Sequence, residues 1–324
     1  MIRINKWFPE EMAEKYAETM AKKIMKKICE NDSVYRSIRP EIRKAVFEDD
    51  NGEVSKPRLK RFLSVPLHEL QEDKEFKDFF EAYKEGRYAS DGIAEIINYS
   101  MLSDDLRHNL LASLNVSVCP YCNRQYITTW EKTADEKRTT ADLDHFYPKS
   151  QYPLYALCLF NFIPSCHICN SLMKGAKTDE AVYPYAENFG DDAYFTVNGD
   201  KEDKAYCRNL LRIWRGEKDA PISVRIYVNP AADPEKKKRI DNSVRIFHLN
   251  EVYQSHEAYV RELLVKKRIY GEGAYSDTME ALFKKIELPY TACELERFLY
   301  GFCWMEGEDP ERALSKLTYD IVKR

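Results

Sequence analysis

The chain has no apolar run long enough to cross a bilayer, and its first residues, MIRINKWFPEEMAEKYAE, lack the uninterrupted apolar core of a signal peptide. A cytoplasmic protein with no membrane partner is therefore expected. Glycine is scarce, with 11 among 324 residues, and neither an internal repeat nor a low-complexity tract is present, which excludes fibrous and disordered classes. Positive charge is not in excess. The formal net charge of −4 excludes a uniformly basic nucleic-acid coat, so any contact with phosphates must come from local patches.

What is present is a globular composition, 44% hydrophobic and 32% charged, on a chain longer than one average domain. Residues 1–110 read as a helical region. After Pro9, the residues Met12, Tyr16, Met20, Ile24 and Ile28 recur at the spacing of one helix face. The lysines Lys22, Lys23, Lys26 and Lys27 between them are expected to be that helix's solvated side rather than a nucleic-acid contact. From Val116 to Trp130, β-branched and aromatic residues flank a tight turn and predict a short hairpin. The polar run 131–140 is expected to be an exposed loop, followed by a strand at ADLDHF. YFTV and ISVRIYV predict a small sheet before the chain returns to helix, so residues 191–324 read as a small sheet plus a helical C-terminal region. Residues 111–190 separate as a central core, and the fold class is α+β.

Nine cysteines in a chain expected to meet reducing conditions argue against a disulfide framework. Cys29, Cys158, Cys207, Cys293 and Cys303 are scattered and read as small buried apolar residues. The other four form two C-x-x-C units, Cys119 with Cys122 and Cys166 with Cys169. Two such units meet the tetrahedral preference of zinc for sulfur at about 2.3 Å. Their long separation means that a zinc staple would close over an intervening element, DLDHF and its following loop. Buried thiol pairs and redox pairs are the alternatives, but a redox motif wants a βαβ context that these flanks do not supply.

Within that element, Asp142 and Asp144 fall on the same face of a strand and His145 on the other. A carboxylate can hold a hard divalent cation while a neighbouring imidazole, with an ordinary pKa of about 6.5, takes a proton from water. Asn170 and Lys174 lie four apart on a helix that starts at the second thiol pair, hence on one face. No acidic residue occurs from His145 through Thr178, whereas Lys149, Lys174 and Lys177 supply a local phosphate-attracting patch.

The order DLDH, Asn161, then C-x-x-CN with a lysine four residues later resembles the HNH, or ββα-metal, endonucleases over residues 116–178. The resemblance implies a zinc-stapled ββα-metal core between predominantly helical flanks. It implies His145 as general base, Asp144 and Asn170 as ligands of a catalytic Mg2+ or Mn2+, and Asn161 as a brace of the loop between the two strands. Lys149, Lys174 and Lys177 become candidate nucleic-acid contacts, with DNA favoured as substrate. More narrowly, CPYCNRQYI, DLDHFYPKSQYPLYAL and NFIPSCHICNSLMKG resemble HNH proteins of anti-phage defence modules of the Septu type, which implies an ATPase partner and no small-molecule cofactor. The rival expectation is a non-catalytic zinc module that binds nucleic acid or a partner protein.

Overall fold

A computed structural model describes residues 1–87, 92–133, 136–197, 204–270, 274–287, 292–301, 303 and 311–324. The described chain mixes helices with three two-stranded antiparallel sheets, an α+β architecture. Its backbone divides into two compact units, one of Lys6–Cys119 and Ile127–Thr178, the other of Met1–Asn5, Pro120–Tyr126 and Asp179–Arg324.

The first unit opens with α1 (Glu10–Glu30), which follows Pro9 and carries two glutamates in its first turn, where the helix dipole favours negative charge. Tyr16, Met20, Ile24 and Ile28 are buried along one stripe. On the opposite side Lys22 pairs with Glu18 and Lys26 with Glu30, so this face is solvated. The Tyr16 hydroxyl donates to the Leu157 carbonyl at 2.7 Å and ties α1 to the loop that follows DLDHF. That loop rests on aromatic rings. Phe80 stacks on Tyr155 at 4.1 Å, and Phe62 lies 5.9 Å from the same ring. Cys158 is buried there, and burial pushes its thiol pKa up, the state of an unreactive core residue.

Helix α2 (Asp104–Leu114) is capped by Ser103, whose hydroxyl accepts from the Leu106 amide, and ends at Asn115 in the left-handed conformation that asparagine tolerates. A turn closed by the Ile127 amide on the Ser117 carbonyl at 2.9 Å carries the first thiol pair. Next come β1 (Thr129–Thr133) and β2 (Glu136–Thr139), paired antiparallel with Thr129 opposite Thr139 and Trp130 opposite Arg138. This corrects the expectation of a loop over 131–140, of which residues 134–135 lie outside the described residues. The run has few apolar side chains because both faces of the ribbon are exposed. It is held instead by ladder bonds, by the Thr129–Thr139 hydroxyl pair at 2.9 Å and by contacts with α2. Strands β3 (Ala141–His145) and β4 (Phe162–Cys166) form the next sheet, and the π-helical segment Ile168–Lys174 follows.

In the second unit β5 (Ala193–Val197) pairs with β6 (Val224–Val228), the small sheet expected from their alternation. Helix α3 (Lys204–Trp214) packs on α5 (Glu257–Tyr270), which packs on α6 (Ser315–Lys323), while α4 (Pro234–Ile246) packs on β6 and α6 on β5. In α6, Lys316 and Asp320 form a buried ion pair at 2.7 Å, and Asp320 also accepts from the Phe195 amide at 2.9 Å. Asn123 is fully buried at φ +50°. Its side chain accepts from Ser315 and Lys316 and donates to Arg312, so one asparagine ties the turn 120–126 to the start of α6.

The scattered cysteines depart from the buried reading at four positions. Cys29 and Cys207 are exposed. Cys293 and Cys303 pair as a disulfide with Cα atoms 5.0 Å apart, a proximity that folding creates and that spacing alone does not announce. The rest of CELERFLYGFCWMEG beyond Cys303, with residue 302, lies outside the described residues. Among the described residues no helix is long and apolar enough to cross a membrane.

Candidate functional site

Cys119, Cys122, Cys166 and Cys169 are all buried, and their sulfur atoms lie within 4.8 Å of one another. Among the described residues this is the group of His, Cys, Asp or Glu side chains that could share one ion. One cysteine of each C-x-x-C unit accepts a hydrogen bond from a backbone amide. The Arg124 amide, two residues beyond the first unit, donates to Cys122 Sγ at 3.4 Å, and within the second unit the Cys169 amide donates to Cys166 Sγ at 3.5 Å. Four converging sulfurs with this support fit a structural zinc ion.

Strand β3 owes its position to its apolar members. Ala141 and Leu143 are buried, and the register sets Asp142 opposite Ser165, Asp144 opposite Ile163 and His145 opposite Phe162. The connection to β4 is long, and Asn161 holds it. This residue is fully buried and uses its whole side chain: Oδ1 accepts from the Tyr147 amide at 2.8 Å, and Nδ2 donates to the carbonyls of Tyr147 and Tyr155 at 3.1 and 2.9 Å. Its backbone carbonyl accepts from the Phe146 amide at 2.8 Å.

Strand β3 borders a cleft of about 1150 Å³ within the first unit, and residues of both its faces line it. Asp142, Asp144, His145, Lys149 and Asn170 all line it. Asn170 is not hydrogen-bonded to Asp144 but to its neighbour on the strand face. The Asn170 Nδ2 donates to Asp142 Oδ2 at 2.9 Å, which leaves Oδ1 of the amide outside that bond. Asp144 is 3% exposed and faces Lys174, itself 4% exposed, whose Nζ lies 3.1 Å from both carboxylate oxygens. The same ammonium donates to the His145 carbonyl at 2.5 Å. Lys174 is thus turned inward. Lys149 stays on the cleft wall with Nζ 4.5 Å from the Tyr99 ring centroid, while Lys177 folds onto the Met173 carbonyl at 2.7 Å, off the cleft lining.

His145 sits edge-on between Tyr99 and Phe162, with ring centroids at 4.7 and 5.2 Å. Its Nε2 lies 3.0 Å from the Ala156 carbonyl. A carbonyl only accepts, so Nε2 carries the hydrogen and Nδ1 is the unprotonated nitrogen. Burial first, and then the charges of Lys149 and Lys174, push the imidazole pKa down to about 4, against the opposing pull of the Ala156 bond. The ring is therefore neutral at pH 7 and able to accept a proton.

Several cleft residues are not among those that the sequence singles out. His167, inside the second C-x-x-C, sets Nδ1 2.9 Å from Asp142 Oδ2. Arg107 comes from α2, and Lys137 and Arg138 from the exposed ribbon. The cue available for His167 was its place between two thiols, three residues before Asn170. The others are brought in by packing between elements distant in sequence.

No protein-family model matches the chain, and no solved structure does. A search of curated proteins finds it similar to protein ea31 of Escherichia phage lambda, 20% identical over 203 residues that span 60% of this chain and 64% of that protein.

Proposed function

We propose that this chain is an HNH-type endonuclease that hydrolyses phosphodiester bonds of nucleic acid, DNA in preference, with a divalent cation in the cleft. The observation that carries the reading is His145: an imidazole kept neutral by burial, its tautomer fixed by the Ala156 carbonyl, beside two carboxylates and an asparagine in one cleft. In this reading Nδ1 of His145 takes the proton of the attacking water. Tyr99 and Phe162 hold the ring edge-on, so the base needs no reorganisation before it acts. Lys149, on the cleft wall, meets phosphate.

The cleft also offers the oxygen donors that a hard cation prefers, the carboxylate of Asp144 and the Oδ1 of Asn170, and Mg2+ or Mn2+ takes few protein ligands. Asp142, by accepting from the amide nitrogen of Asn170, would aim that Oδ1. The cation, when bound, supplies Lewis-acid stabilisation of charge on the phosphoryl and leaving 3′ oxygens. The buried thiols would hold zinc in a structural role. The motifs that resemble defence nucleases extend the proposal to an effector of an anti-phage module with an ATPase partner.

The test is cleavage of plasmid and oligonucleotide DNA with Mg2+ or Mn2+, comparing the chain with His145→Ala and repeating the assay with any ATPase that co-purifies with the chain. The expected result is products with 5′-phosphate and 3′-hydroxyl ends, and a rate lower by about 10²-fold or more in the variant. Equal cleavage by both proteins would sink the mechanism.

A further inference from the structure

The ribbon of β1 and β2 is exposed on both faces, and an isolated two-stranded ribbon in water is marginal at best. Here α2 anchors it. His108 Nε2 donates to the Trp130 carbonyl at 3.1 Å, and Lys137 pairs with Asp105 at 3.3 Å. The first bond fixes the backbone at Trp130, a residue that is 45% exposed and whose indole touches no other ring among the described residues. Trp130 is the register partner of Arg138, so the two side chains leave the ribbon on the same face, and Arg138 lines the cleft.

Charge decides what this face suits. Four cations line the cleft beside its histidines, and two of them are neutralised: Arg107 by Asp104 and Lys137 by Asp105. Asp144 is paired with Lys174, and Asp142 keeps its charge while hydrogen-bonded to His167 and Asn170. Among the described residues Arg138 and Lys149 form no ion pair with a carboxylate; Arg138 donates to the Lys137 carbonyl at 3.1 Å and Lys149 lies over Tyr99. Two cations without a carboxylate partner on the cleft wall, with an exposed indole on the face of one of them, match a strand that presents both phosphates and unstacked bases. A duplex offers phosphates but keeps its bases paired and stacked, so the indole has nothing to stack on.

We infer that the β1–β2 ribbon is a holding arm for an unpaired nucleic-acid strand, with Trp130 stacking on a base and Arg138 and Lys149 meeting the phosphates on either side of the cleft. The inference rests on the nuclease reading for the use of the cleft but makes its own demand on binding.

The experiment measures fluorescence anisotropy of a labelled single-stranded oligo(dT) and of a blunt duplex of the same length, with the full chain and no added divalent cation. Trp130→Ala, Trp130→Phe and Arg138→Ala are compared, with circular dichroism to confirm folding. The expected result is tighter binding of the single strand than of the duplex. Trp130→Ala should weaken single-strand binding by about five-fold or more, the effect of one lost base–aromatic stack, and Trp130→Phe should restore most of it. Arg138→Ala should weaken binding and flatten its salt dependence. Unchanged single-strand affinity in folded Trp130→Ala, preference of the parent for the duplex, or no binding at all each overturns the arm. Adding Mg2+ or Mn2+ to the same samples separates the two readings: Trp130-dependent binding without cleavage removes the nuclease and leaves the arm, whereas cleavage that ignores Trp130 does the reverse.

Discussion

Lys174 and Asp144 face each other with both buried to within a few per cent, the ammonium 3.1 Å from each carboxylate oxygen. Such a pair stabilises little relative to apolar replacements, but removing one member leaves a buried uncompensated charge. Lys174→Ala is expected to lower unfolding free energy by about 3–5 kcal/mol, measured by urea denaturation. The ammonium also competes with any cation for Asp144. Lys174→Met, which keeps the stem without the charge, should therefore tighten Mn2+ binding measured by calorimetry or paramagnetic broadening. Unchanged affinity would show that Asp144 does not hold the ion.

His145 yields a prediction in pH. Its pKa is depressed to about 4 by burial, so the base form persists as pH falls through the range where an ordinary histidine becomes charged. A bound divalent cation would push it further in the same direction. Any cleavage rate should then stay level from about pH 7 down to about pH 5 and lose activity only below that, as the folded-state group titrates. The stability consequence has the matching sign. The unfolded chain takes the proton near pH 6.5 and the folded chain does not, so the contribution of this group is present above the unfolded value and is lost as pH falls toward about 4. An acid limb near the ordinary histidine value would remove His145 as the base.

How much of this was legible depended on how local each cause was. The helix at Glu10–Glu30, the strand at Ala141–His145 and the pairing of YFTV with VRIYV follow from periodicities that act within a few residues, and a sequence shows them directly. The two C-x-x-C units announced themselves by spacing. The inward turn of Lys174 did not, because it depends on a carboxylate thirty positions away whose burial no local pattern records. The same holds for Asn170, which bonds Asp142 in this structure. Beyond Thr129 and Trp130, the ribbon at Thr129–Thr139 escaped the sequence for the opposite reason: strands exposed on both faces carry no apolar alternation to read.

The thiols and the histidine should fail differently. The four sulfurs lie within 4.8 Å in buried surroundings, and a zinc ion there would supply on the order of 10 kcal/mol of folding free energy. Elemental analysis is expected to give about one zinc per chain. Cys166→Ser or prolonged chelation should abolish cooperative unfolding, followed by near-ultraviolet circular dichroism. His145→Ala should leave both the metal content and the melting transition in place. A chain that melts identically with and without zinc would show that the thiols are merely packed.

Asn161 makes the most demanding structural prediction, because its side chain satisfies three backbone groups of a loop that has no ladder of its own. Asn161→Ala would leave the Tyr147 amide and the Tyr147 and Tyr155 carbonyls without these partners in a buried setting, at a cost of about 1–3 kcal/mol for an unsatisfied group. Asn161→Asp removes both donors and sets a buried carboxylate against two carbonyls, so it should be worse than alanine although it is closer in shape. The loop also carries Ala156, whose carbonyl fixes the tautomer of His145. Loosening it should therefore reach the imidazole. The measurement is the ring nitrogen chemical shifts of His145, which report a single tautomer in the parent. A mixture of tautomers in Asn161→Ala is the expected outcome, with loss of amide exchange protection over 146–161. A single unchanged tautomer in the folded variant would show that the ring is held by Tyr99 and Phe162 alone.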